Sequence, residues 1–176
     1  ASDVYKRQLV IHREVGNRRY EAIVLGNLGV QYTLQGRFEE ARTTYESAIA
    51  VVRETGDRRV EGHTLGNLAN VYADTGRQDE AQRLYEAALA IHRQVGSRSS
   101  AGSTLLNLGW LAYDRGQLEV ARANYEQALE ILREVGNRAD EGTALVQLGR
   151  VDEAAGRWTE ALTAIEAGVA VSREVG

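Results

Sequence analysis

The chain of 176 residues contains no cysteine, no proline and no methionine. Without cysteine there is no disulfide framework and no cysteine-ligated zinc, haem or iron-sulfur centre. Proline, at its usual share of about 5%, should have appeared roughly nine times. Its absence beside eighteen glycines suggests helices separated by glycine turns. Basic residues are fewer than acidic ones, for a net charge of −4, which argues against a nucleic-acid partner. No segment approaches the roughly 18 consecutive apolar residues of a membrane span. Leu9 to Ile11 is too short an apolar run for a signal peptide, so a cytoplasmic protein with no membrane partner is expected.

The missing methionine removes any initiator, so the sequence reads as a piece of a larger protein. Lysine occurs once, at Lys6, against twenty arginines, a bias that resembles a GC-rich bacterial genome. Lys6 lies in Asp3-Val4-Tyr5-Lys6-Arg7-Gln8, which resembles a translated transposon end of the kind ligated to DNA for short-read sequencing. Residues 1–8 are accordingly expected to be non-native, and the chain a metagenomic fragment.

What the sequence does have is a period. Glycine falls at 16, 36, 56, 76, 96, 116, 136, 156 and 176, always twenty residues apart. Two kinds of segment alternate between these glycines, so the unit is forty residues, and repeats of that size mean a stacked array. The expected division is a half repeat over 1–16, then whole units over 17–56, 57–96, 97–136 and 137–176.

Each half unit reads as a helix. Leu25, Leu28 and Tyr32, matched by Leu65, Leu68 and Tyr72, step at three and four along one face. The second halves do the same with Ala41, Tyr45, Ala48 and Val52, and with Ala81, Tyr85, Ala88 and His92. Asn17, Asp57, Ser97 and Asn137 each follow a glycine and belong to the class that caps a helix start. Helices of roughly 17 residues would be about 25 Å long.

These residues resemble the tetratricopeptide repeat, whose signature runs large apolar, Leu-Gly, Tyr, Gly, Ala, aromatic, Ala. Here it is Leu25, Leu28-Gly29, Tyr32, Gly36, Ala41, Tyr45, Ala48, then Leu65, Leu68-Ala69, Tyr72, Gly76, Ala81, Tyr85, Ala88. The forty-residue length and the missing proline are similar to the longer-helix repeats of kinesin light chains, G-protein signalling modulators and bacterial regulators. The resemblance implies an all-α chain of tandem helix-turn-helix repeats, stacked as a right-handed superhelical α-solenoid. It also implies that the first helices line the concave side. The fourth unit departs from the pattern, with Asp152, Ile165 and Gly168 in the slots of Tyr32, Tyr45 and Ala48, which puts its packing in doubt.

Candidate chemistry is sparse. His12 and His92 share a slot two units apart and are expected to lie separately, while His63 shares a face with Asn67 and Asp74. No catalytic set, metal site or cofactor site is expected. Gly26 with Gly29, and Gly62 with Gly66, superficially resemble phosphate loops but lie inside helices, so close helix packing is expected at all four.

The candidate binding surface is the face of the first helices opposite their core. It carries Asn27, then His63, Asn67, Asn70 and Asp74, then Ser103, Asn107, Trp110 and Asp114, then Gln147 and Arg150. Asparagine inside a helix is unfavourable by several tenths of a kcal/mol relative to alanine, so Asn27, Asn67 and Asn107 in one slot ask for a reason. Their carboxamides either pair with the backbone of an extended peptide or bond to the neighbouring helix and fix repeat stacking. Trp110 is either a groove anchor or a core residue turned inward. With only Arg150 against Asp74, Asp114 and Asp140, the ligand is expected to be neutral or basic rather than acidic. Net charge per unit runs 0, −1, −1 and −3, so the groove is expected to grow more negative toward its C-terminal end.

The expected function is a non-catalytic scaffold that binds protein or peptide. One rival is the sensor arm of a larger signalling ATPase, transcription regulator or protease. Another is a structural spacer that associates end to end.

Overall fold

The computed structural model describes residues 2–175, and the ninth glycine of the series, Gly176, lies outside them. The described residues form helices alone, in two compact units that divide between Val95 and Gly96. The first unit holds α1 (Ser2–Glu14), α2 (Arg18–Leu34), α3 (Phe38–Thr55), α4 (Arg58–Asp74) and α5 (Gln78–Gln94). The second holds α6 (Arg98–Asp114), α7 (Leu118–Glu134), α8 (Arg138–Ala154) and α9 (Trp158–Val175). No helix of the described residues is long and apolar enough to cross a membrane.

Local chemistry sets the helix ends. The turn at Gly36 has φ +70°, where a side chain would be strained. There the Gly36 N–H donates to the Thr33 carbonyl at 2.9 Å and the Arg37 N–H to the Tyr32 carbonyl at 2.9 Å, satisfying two otherwise orphaned acceptors. At the next start, the Asn17, Asp57 and Asn137 side chains accept from the backbone N–H three residues on. Ser97 does not cap as expected: its hydroxyl bonds instead to that of Ser100, at 3.0 Å.

In the first unit α2 pairs with α3 and α4 with α5, and α2 and α4 lie side by side. Ala41 and Ala48 are fully buried and Tyr45 is 1% exposed. A Cβ at Gly29 would stand 2.5 Å from the Tyr45 ring, so the glycine makes the room the tyrosine fills. Gly109 and Tyr125 repeat that arrangement in the second unit. Tyr5 and Leu9 of α1 pack against the first unit's core, whereas Val4 is exposed.

An ion-pair clasp joins successive repeats inside each unit. Glu61 of α4 is buried and takes Arg53 of the preceding α3 at 2.9 Å and Arg58 of its own first turn at 2.5 Å. Glu21 does the same with Arg13 and Arg18, and Glu141 with Arg133 and Arg138. Burial alone would push the Glu141 carboxyl up, but its two arginines outweigh that and hold it below the usual carboxylate range. Removing one partner of such a buried pair costs about 3 to 5 kcal/mol where the charge left behind has no water.

The doubt over the fourth repeat is resolved in favour of tight packing. Asp152 in the tyrosine slot is buried and pairs with Arg122 and, at 2.7 Å, with Arg157. In the first and second repeats the equivalent arginines, Arg37 and Arg77, lie over the rings of Tyr32 and Tyr72 at 4.5 and 4.4 Å. An ion pair thus replaces a cation–π contact. Gly168 in the alanine slot lets backbones approach: a Cβ there would be 2.8 Å from the Gly142 carbonyl oxygen.

Candidate functional site

In the first unit the neighbouring faces of α2 and α4 enclose an open cleft of about 200 Å³. Ile23, Val30 and Val60 form its apolar walls, and Asn27, His63 and Asn67 supply its polar groups. Gly26 also lines it. Of the four glycines expected to mark close packing, only two do so. A Cβ at Gly29 or Gly62 would collide with Tyr45 or His92, but one at Gly26 or Gly66 would meet nothing within 4 Å. Gly26 and Gly66 turn away from the second helix of their own repeat, so interior packing does not explain them.

The carboxamides of the first unit divide. Asn27 and Asn67 make no hydrogen bond to other groups among the described residues. Asn70 is different: its carbonyl oxygen accepts from the Tyr85 hydroxyl at 2.6 Å, tying α4 to α5 inside one repeat. Burial and then the charge of Asp74, exposed at the end of α4, keep that hydroxyl protonated well above the ordinary tyrosine range.

His12 stacks on Tyr20 and makes no ring contact with His92, whereas His92 meets His63, a pairing the spacing did not suggest. His63 and His92 lie with ring centroids 5.0 Å apart and planes tilted by 57°. His92 is 2% exposed, and its Nδ1 has no hydrogen-bond partner among the described residues. Burial, then His63 and Arg59, push its pKa down to about 4. His63 is pushed down as well, by burial and then by Arg59. Both rings are therefore neutral near pH 7, and no three His, Asp or Glu of the described residues form a group fit for a metal ion. Spacing between like helices does not bring the two together, because they lie on the two different helices of one repeat. Glycine at 62 opposite a large residue at 92, within one hairpin, was the available signal.

In the second unit the corresponding face has its polar groups already engaged. Ser103 donates to Asp140 at 2.7 Å, and Asn137 donates to the same carboxylate at 3.0 Å. Arg150 lies 5.1 Å over the Tyr113 ring and donates to the Gln147 carbonyl oxygen at 3.2 Å. Asn107 and Asp114 are engaged too. Trp110 is 40% exposed, so it points outward and not into the core.

Comparison with known proteins fits this architecture. A family model described as "Tetratricopeptide repeat" matches residues 20–94, 60–134 and 100–174. No match is found among curated proteins. The chain is similar in structure to BtubC (BKLC) from P. vanneervenii, with TM-score 0.90 and 22% identity over 99% of this chain and 73% of that one. It is similar to a Rap protein complexed with competence and sporulation factor, with TM-score 0.86 and 18% identity over 98% of this chain and 48% of the other. It is also similar to a signal transduction ATPase with numerous domains and a tetratricopeptide repeat sensor, from Pyrococcus horikoshii. There the TM-score is 0.83 and the identity 18%, over 98% of this chain and 27% of that one. With three overlapping matches that together span nearly all of its repeats, the chain belongs to the tetratricopeptide repeat family.

Proposed function

We propose that the chain is a non-catalytic module that binds an extended segment of a protein or peptide on the exposed face of its first helices, centred in the first unit on the cleft between α2 and α4. The observation that carries this reading is the cleft itself. It has apolar walls, two carboxamides without partners among the described residues, and a glycine at 26 that no packing contact requires. An interior helical glycine is unfavourable by about 1 kcal/mol relative to alanine, so room for a ligand is the reason left for Gly26. A peptide side chain would enter between Ile23, Val30 and Val60, and its backbone would pair with Asn27 and Asn67. The cleft has neutral imidazole on one side and Asp74 beyond it, which favours a neutral or basic segment over an acidic one. In the second unit, Ser103, Asn107, Trp110, Asp114, Gln147 and Arg150 would offer a separate surface of the same kind, with Trp110 its largest apolar contact. The Rap protein complexed with competence and sporulation factor supports this reading at the level of the fold.

The test is the double change Asn27→Ala with Asn67→Ala, read by binding to an array of extended peptides and by thermal melting. Binding should fall while the melt holds or rises, because alanine is the better helix former. Unchanged binding with a melt lowered by many degrees would assign both asparagines to stacking and remove the proposal.

A second reading, a sensor arm of a larger signalling protein, is favoured by the likeness to the ATPase with a tetratricopeptide repeat sensor. Sequencing the flanking DNA tests it: a catalytic domain in the same frame supports the sensor arm, and a stop codon on both sides rejects it.

A further inference from the structure

The cleft between α2 and α4 has a counterpart inside the same chain that shows what fits it. In the second unit α6 and α8 lie side by side as α2 and α4 do. Leu106 stands on α6 where Gly26 stands on α2. Its side chain is 9% exposed, so the space at this slot takes a leucine almost entirely out of water. In the first unit the slot is left open, because a Cβ at Gly26 would meet nothing within 4 Å. The flanks differ as well. Ser103 and Asp140 close on each other at 2.7 Å in the second unit. Their slots in the first unit hold Ile23 and Val60, which cannot hydrogen-bond through their side chains and line the open cleft. Ile23 and Val30 are 37% and 36% exposed and share one helix face, with Gly26 between them.

We infer that the segment bound in the cleft inserts a leucine side chain against Gly26, and that this glycine sets the choice. The inference rests on the binding reading above and names its anchor. Size comes first. At about 200 Å³ the cleft is smaller than the roughly 300 Å³ at which small-molecule sites begin, which suits one side chain and not a whole metabolite. Leu106 fills its slot from the helix side; a leucine of the ligand fills the corresponding space from the solvent side. Chemistry narrows the choice further. Among the described residues no charged side chain lines the cleft, so a glutamate or lysine inserted there would lose water without gaining a counter-charge. Thr64, buried among the lining residues, already donates its hydroxyl proton to the Val60 carbonyl at 2.8 Å. An aromatic ring exceeds the volume that a leucine fills, and an alanine leaves Ile23, Val30 and Val60 wet. Asn27 on α2 and Asn67 on α4 stand on opposite walls, where the peptide groups flanking the anchor can pair with them.

The probes are the N-acetyl, N-methylamide derivatives of leucine, valine, alanine, phenylalanine and glutamate, each a single side chain between two peptide groups. They are titrated into the full chain to millimolar concentration and followed by the side-chain carboxamide NMR signals of Asn27 and Asn67. The leucine probe should shift both signals saturably. Alanine should bind roughly tenfold more weakly, as for the loss of partly buried methylenes; phenylalanine should be weakened about as much, and glutamate should leave the signals unmoved. Gly26→Ala keeps the helix and meets no obstacle, so the fold should hold. It should weaken the leucine probe about tenfold and reverse its order with valine, because the added methyl takes space from the bound side chain. Phenylalanine or glutamate binding as well as leucine, an order untouched by Gly26→Ala, or signals unmoved by leucine overturns the inference. The binding reading is judged separately: peptides of the array that bind through Asn27 and Asn67 without a leucine would leave it standing and remove only the anchor.

Discussion

At the slot shared by residues 26, 66, 106 and 146, the first unit has two glycines and the second has leucine and valine. Leu106 is buried and Val146 packs against the Gly168 position, whereas Gly26 and Gly66 leave space beside α2 and α4. Polar groups divide in the same way: Asn27 and Asn67 are unengaged among the described residues, while Ser103, Gln147 and Arg150 are engaged with neighbours. One scaffold thus gives two surfaces. A cleft opens at this slot where an internal contact is withheld, and is closed where the slot is filled.

The largest expected difference between the units is in their response to acid. Unfolded, a histidine takes up its proton near pH 6.5; folded, His92 resists it until about pH 4. Neutral His92 therefore contributes stability above pH 6.5, and as pH falls toward 4 up to about 3 kcal/mol of it is lost. All three histidines precede Val95. Glu141 in the second unit is depressed as a carboxylate, so its contribution is present above the ordinary carboxylate value and is lost only as pH falls below it. Hydrogen exchange resolved by helix at pH 7 and pH 5, corrected for intrinsic rates, should show α4 and α5 losing protection first. His92→Val should remove the difference, and equal losses in α8 and α9 would break the comparison.

Next in size are substitutions of glycine by alanine. Gly168→Ala should destabilise the second unit by about 1 to 3 kcal/mol, because the new methyl meets backbone that cannot give way. Gly66→Ala should stabilise the first by about 1 kcal/mol. Denaturant titrations of the two variants should move in opposite directions, and a loss in both would place an unseen contact at Gly66. Replacing Gly26 with leucine should fill the cleft as Leu106 fills its own slot, and abolish peptide binding without lowering the melt.

The smallest effect concerns hydroxyl groups. Tyr85→Phe should cost about 1 kcal/mol by removing the hydrogen bond to Asn70. Tyr125→Phe should lie within about 0.5 kcal/mol of neutral or be stabilising, since the Tyr125 hydroxyl is buried with no partner among the described residues. Matching melting temperatures for the two would erase the distinction.

Helix positions and their pairing were legible because they rest on local signals: a glycine every twenty residues, a capping side chain at Asn17, Asp57 and Asn137, and alanine where helices cross. The Asn27 and Asn67 face was legible for the same reason, since helical spacing alone puts both outside the core. What periodicity could not reveal was which groups answer one another across helices. Asn70 and Asn67 look equivalent as residues, but only Asn70 lies within reach of a buried hydroxyl. Gly26 and Gly29 look equivalent as well, and differ only in what stands beyond the missing methyl. The Asp152 substitution looked like decay because its compensation is split between Arg122 and Arg157, neither of which is unusual alone.

The clasp of Arg53, Arg58 and Glu61 has a genetic consequence. Arg53 and Glu61 are eight residues apart, and Arg58 lies between them, so every charged atom of the joint is encoded within one stretch of nine codons. A duplication or deletion whose breakpoints fall anywhere else in the forty-codon period carries the joint over whole. Arrays of this kind can lengthen or shorten by recombination between repeats without any new interface having to be selected.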